Sequence, residues 1–226
     1  MIKKLALLKT FPVIVILLTI SCTLKAQLDS AKNLPNLLMP EFRRSLIKFK
    51  SGEKKTAVIN YNMVKEELVF LQDGKYLAMD NPQLIDTVYM ANRAFVPFGK
   101  AFYEVVLKGP VPLFIQHKCN VEQVGSPVGY GQRSHSTGPV NLKTMYAGTG
   151  TYNLEIPKGY EVREANEYWI RKEDGSMQNF TNKRQFLKLF PDRQKDLDQF
   201  IRLNKINFEK AADVIRLVDY CNQIKK

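Results

Sequence analysis

His117 and Cys119 are the residues whose types and spacing come nearest to chemistry. They stand two apart in Leu113-Phe114-Ile115-Gln116-His117-Lys118-Cys119-Asn120-Val121, so a strand through this run turns both to one face along with Leu113, Ile115 and Val121. A thiol beside an imidazole is the beginning of a cysteine nucleophile with its base, or of a metal site. The ligand inventory limits the second reading. Behind the leader discussed below, the His and Cys residues are only His117, His135, Cys119 and Cys221, with no close-spaced cysteine pair, so no metal site and no cofactor is expected. The first reading needs a partly exposed thiolate, whereas Cys119 lies among apolar alternates. A core thiol or half-cystine beside a hydrogen-bonded histidine is the expectation, and a hydrolase working through Cys119 and His117 is its rival.

The second chemical stretch is a loop. Of the 12 glycines, six fall between 125 and 150, with Pro127 and Pro139. The glycines match neither a dinucleotide fingerprint nor a phosphate loop, since no Gly-Lys-Ser and no helix follow. Ser134 and Ser136 have His135 as a sequence neighbour, which is poor geometry for a triad. Tyr130, Arg133 and His135 can instead present stacking and hydrogen-bonding groups to a ligand, because exposed loops commonly carry binding function. Glu66 with Glu67, Glu161 with Glu164 and Asp196 with Asp198 read as solvated turn and helix positions rather than paired glycosidase carboxylates.

These residues are held by an alternating body. Ser45–Phe49 and Thr56–Tyr61 flank a Ser51-Gly52 turn, and Glu67–Leu71 and Lys75–Met79 flank Asp73-Gly74, a strong hairpin signal. Three further strands fill 86–122, punctuated by Asn92-Arg93, Pro97-Phe98-Gly99 and Gly109-Pro110-Val111-Pro112, and alternation resumes from Thr151 to Phe180. No room exists for crossover helices before residue 180, so the pairing should be antiparallel. The last segment is helical: Asn182 with Gln185 forms a capping start, Pro191 opens a second helix, and Asn207 is placed to cap a third carrying Ala211, Val214, Ile215, Val218 and Cys221 on one face. The expected fold class is α+β, an antiparallel β-sheet body, roll, barrel-like or sandwich-like, with a C-terminal helical tail. Its parts are a lead-in at 27–42, the β-rich domain at 43–180 with its loop at 125–150, and the helical segment at 181–226.

Residues 1–26 combine a basic start, a short apolar stretch at Phe11–Ile20 and small residues, the pattern of an export signal too short to span a membrane. Cleavage between Ala26 and Gln27 is expected, with lipid attachment at Cys22 as the alternative. No later stretch is long enough to be transmembrane. Cleavage removes four lysines and no acid, taking the formal charge from +12 to +8. A basic exported chain points to an anionic envelope glycan or another envelope protein as partner. Nucleic acid is not expected, since the aromatics, 11% of the chain, are spread through strands rather than clustered with basic residues. In an oxidising compartment Cys119 and Cys221 could form one disulfide or remain two buried thiols. Both readings stand.

Asn60-Tyr61-Asn62, Ile85–Val88 leading to Asn92–Pro97, Val111–Cys119, Gly129-Tyr130-Gly131 and Phe186–Asp192 together resemble a group of exported, functionally uncharacterised proteins of Bacteroidota. The resemblance implies a lineage and an envelope location and brings no activity with it. Asp29-Ser30-Ala31 also matches the short O-glycosylation acceptor pattern of that lineage, at Ser30. The expected role is non-enzymatic binding or assembly at the envelope, periplasmic or cell-surface, with the 125–150 loop as the candidate surface.

Overall fold

The structure, a computed structural model, describes residues 34–124, 127–128, 132–133 and 154–224. Two four-strand meanders form most of it. The first is β1 (Arg43–Phe49), β2 (Lys54–Asn62), β3 (Glu67–Gln72) and β4 (Lys75–Ala78); the second is β5 (Ile85–Met90), β6 (Arg93–Phe98), β7 (Ala101–Leu107) and β8 (Leu113–Gln116). Tight turns explain this locality. Asp73 and Gly74 take φ of 50° and 72°, and Ala91 and Asn92 take 48° and 63°, the left-handed pairs that reverse a twisted hairpin within two residues. Strand β1 then pairs antiparallel with β5, joining the meanders, and β13 (Glu167–Arg171) with β14 (Met177–Phe180) extends the sheet beyond β8. The order is β4-β3-β2-β1-β5-β6-β7-β8-β13-β14.

This antiparallel sheet is strongly rolled. Strands β2 and β7 are four places apart in that order, about 19 Å in a flat sheet, yet the Tyr61 hydroxyl on β2 donates to the Phe102 carbonyl on β7 at 3.1 Å. Curling lets Ile47, Ile59, Tyr61, Leu68, Val88, Phe95 and Phe102 close on one another as a core. The sheet is not closed: β4 and β14 are its edges.

On the same face, past β7, the roll opens and helices fill it. Helices α1 (Lys183–Lys188), α2 (Gln194–Leu203) and α3 (Ala211–Gln223) bury Phe186, Leu197, Ile201, Val214, Leu217, Val218 and Cys221 against Leu113, Ile115, Tyr168, Ile170 and Phe180. Asn182 caps α1 by accepting from the Gln185 backbone at 3.0 Å. Asn222 on α3 grips both backbone groups of Val111, at 2.7 and 3.1 Å, and packs so close to Gly109 (φ 146°) that a Cβ there would lie 3.3 Å from it.

Two expectations change, for the strand at Leu113 to Val121 and the Asn207 cap, and two gain detail. The run from Leu113 to Val121 is not one strand: β8 ends at Gln116, and β9 (Cys119–Gln123) pairs with β12 (Tyr160–Glu164) in a separate ribbon. The Cys119 amide donates instead to the Met63 carbonyl at 3.2 Å, so the turn after β2 draws the chain out of the main sheet. The described part of the lead-in, residues 34–42, packs into the fold. Leu37 bridges to Asn62, Phe42 stacks on Tyr76 at 5.2 Å, and the Asn60 side chain bonds Met39 N, Met39 O and Glu41 O at 3.1, 2.9 and 3.2 Å. Asn207 does not cap α3. It accepts from Glu209 N in a turn before the helix, and Lys210 occupies the cap position without a side-chain bond. The stretch 125–150 contains a short ribbon, β10 (Pro127–Val128) with β11 (Gln132–Arg133).

Candidate functional site

His117 lies on the concave face, following β8, where neighbouring strands contribute Arg93 from the start of β6 and Glu104 from β7. Arg93 Nε meets Glu104 Oε1 at 2.6 Å, and its Nη2 donates to Oε2. His117 Nε2 is 2.7 Å from Glu104 Oε2 and 2.9 Å from Arg93 Nη2. A guanidinium only donates and a carboxylate only accepts, so Nε2 cannot serve both. Placing a proton on Nε2 gives the shorter contact a donor and avoids opposing two lone pairs across 2.7 Å. The buried Nδ1, which has no hydrogen-bond partner, is then a bare acceptor rather than a stranded donor. Burial alone would push Glu104 up, but the hydrogen bonds of Arg93 and His117, with the charge of Arg93, hold it at about 2.

A carboxylate that orients an imidazole is also the arrangement of a general base, so the question is what stands opposite. The His117 ring meets Tyr61 edge-on at 6.1 Å and Phe95 at 6.3 Å. Burial, then the nearby Glu164 and Glu66, push the Cys119 thiol up to about 12, the reverse of an activated nucleophile. Cys119 and Cys221 are separate free thiols, Cys119 against the roll and Cys221 in the helical cluster. Their disulfide is not formed, because β9 leaves the main sheet while α3 stays on it. Among the described residues no group of three or more His, Cys, Asp or Glu side chains could hold a metal ion, and no helix is long and apolar enough to cross a membrane.

The opposite, convex face of the sheet holds a different site. Register places Val96 opposite Tyr103, Val105 opposite Phe114, Phe114 opposite Trp169, and Arg171 opposite Met177, so these side chains share one face across five strands. Val96, Tyr103, Val105, Phe114, Arg171 and Met177 line a groove of about 590 Å³ together with Phe98, Lys50, Asp86, Lys108 and Pro112, and Trp169 adjoins that lining through Tyr103 and Phe98. Tyr103 and Trp169 meet edge-to-face at 5.6 Å, and Phe98 rests on Tyr103 at 5.7 Å and by Trp169 at 6.5 Å. Phe98 is 47% exposed although aromatic. Trp169 is held from the side: its indole N–H donates to Gln116 Oε1 at 3.1 Å, and Gln116 Nε2 donates to Glu66. Burial, with Glu66 and Glu167, pushes the Tyr103 phenol up to about 12, so it remains a hydrogen-bond donor.

The groove's lining holds three cations, Lys50, Lys108 and Arg171, against one acid, while Glu66 and Glu167 flank its Tyr103 end. Its acid, Asp86, is paired with Lys48 at 2.6 Å. Lys50 and Lys108 make no ion pair among the described residues, and Arg171 lies over the Phe114 ring at 5.6 Å. A larger cleft, about 970 Å³, runs beside α3. There Arg171, Lys172 and Arg193 stand against four acids, Glu173, Asp174, Asp192 and Asp196, and Arg193 already holds the Cys221 carbonyl at 2.8 Å.

The loop candidates cannot be compared with this groove. Tyr130 and His135 lie outside the described residues, as do Cys22, Ala26, Gln27 and Ser30, and Arg133 is described only as backbone. Sequence reasoning missed Arg93, Glu104 and the aromatic groove. A signal for the first pair was present: Glu104 is a lone acid inside Ala101–Leu107, and a carboxylate at such a position requires a cation. No protein-family model, no curated protein and no solved structure matches the chain.

Proposed function

We propose that the protein is a non-catalytic binding module of the cell envelope that takes an extended, ring-bearing ligand in the convex groove. The observation that carries this reading is the rigid stack of Phe98, Tyr103 and Trp169 on an open sheet face. Phe98 is 47% exposed and Trp169 half-buried over a buried Tyr103, and aromatic surface held at the exterior by edge-to-face contacts is costly unless something covers it. A shallow groove across five strands suits a chain laid along it better than a compact substrate. The raised Cys119 thiol and the engaged His117 favour binding over hydrolysis. Export, with cleavage after Ala26, belongs to the same proposal and is supported by the leader and by the resemblance to exported proteins.

Trp169 is the one tryptophan of the chain, so intrinsic emission reports on the groove directly. Titration with soluble polysaccharides should give saturable changes in emission that Phe98→Ala abolishes while the fold is retained by circular dichroism. If no polysaccharide alters the emission, the reading fails.

A further inference from the structure

We infer that the ligand of this groove is an acidic polysaccharide, sugar rings bearing carboxylates; the inference rests on the binding reading above. Two features of the groove make different demands, and one chemistry meets both. Phe98 and Trp169 offer partly exposed apolar ring surface, which suits the C–H faces of pyranose rings. Lys50 stands at the β1 end, Lys108 beside the β7–β8 connection and Arg171 on β13, so positive charge is spread along the groove rather than gathered at one point. A single compact anion would meet only one of these cations. A chain with an anion on successive rings can meet all of them.

The local electrostatics leave these cations available. Asp86, the acid in the lining, is engaged by Lys48, whose ammonium that bond and charge hold upward. The acids of the neighbouring β13–β14 turn, Glu173 and Asp174, line the other cleft, which Arg171 also borders, and Asp174 is tied to Ser176 at 2.8 and 2.6 Å. Arg171 adds a planar guanidinium, pre-set over Phe114, that can take a carboxylate through two parallel bonds. The basic balance left after removal of the leader, down from +12 to +8, draws such a polyanion towards the surface but does not select it.

The test uses Trp169 emission with four probes: polygalacturonate, neutral galactan, poly-L-glutamate and single-stranded oligothymidylate. Polygalacturonate should bind about tenfold or more tightly than the others. Lys50→Gln with Lys108→Gln and Arg171→Gln should bring it down to the level of galactan, and raised salt should weaken it in the wild type. Galactan binding as tightly as polygalacturonate would overturn the inference and leave the binding reading standing. Tighter binding of oligothymidylate would also overturn it, in favour of a nucleic-acid ligand. Equal binding of poly-L-glutamate, insensitive to Phe98→Ala, would overturn both, since a basic rim would then be collecting polyanions without the rings. The triple variant changes exposed or rim positions, and its thermal transition provides the check that a lost signal is not a lost fold.

Discussion

Arg93 and Glu104 form a two-pronged ion pair across adjacent strands, with Nε at 2.6 Å from Oε1 and Nη2 donating to Oε2. Because the pair and His117 hold the carboxyl at about 2 against an ordinary 4.5, the folded state binds this proton less readily than the unfolded one. Its stabilisation is therefore complete above pH 4.5 and disappears as pH falls through about 2, and it amounts to about 3 kcal/mol at neutral pH. Glu104→Gln should lose about this much at pH 7 and show a flatter stability profile between those limits. Urea unfolding across the acid range measures both, and an unchanged slope would remove Glu104 from the account.

The Cys119 thiol, raised to about 12 from an ordinary 9.0, should hold about a thousandfold less thiolate at pH 8 than a free cysteine. Alkylation of the native protein should leave both Cys119 and buried Cys221 unmodified until denaturant is added. Rapid labelling of Cys119 under native conditions would restore the hydrolase reading.

Gln116 joins Glu66 to the Trp169 indole. Gln116→Met keeps the length of the side chain and removes the acceptor, so the indole N–H loses its partner at a cost of about 1–2 kcal/mol. Acrylamide should then quench Trp169 more strongly than in the wild type. Identical quenching would mean that the ring stack alone positions the indole.

Asn60 secures the residues before β1 through Met39 and Glu41. Asn60→Asp keeps the acceptor for Met39 N but turns a carboxylate on the Met39 and Glu41 carbonyls, so it should destabilise by about 3 kcal/mol. Limited proteolysis should begin within residues 34–42 in this variant. Resistance equal to the wild type would show that Leu37 and Phe42 hold the segment by packing alone.

The local grammar of this chain was legible. Asp73-Gly74 and Ser51-Gly52 marked their hairpins, Asn182 its cap, and the absence of crossover helices the antiparallel sheet. What was not legible depends on contacts between distant segments. Nothing near Cys119 announces that Met63 will take its amide and end the strand that holds His117. The convex groove was hidden for a related reason: Phe98, Tyr103, Phe114 and Trp169 come from four strands, and only the register of those strands shows that they face one way. Alternation reveals that a strand has two faces. Which face the helices will cover is decided by the roll.

The two meanders have a consequence for how the chain reaches this state. Within each, every pairing joins neighbours in sequence through a short turn, so each can form from local contacts at small loop-closure cost. The β1–β5 seam, with Leu46 opposite Tyr89 and Ile47 opposite Val88, must bring together segments separated by a whole meander. That seam is the natural bottleneck of folding. Until it zips, two sheets with raw edges coexist, and β1 and β5 are the strands through which an unfinished molecule could pair with another copy.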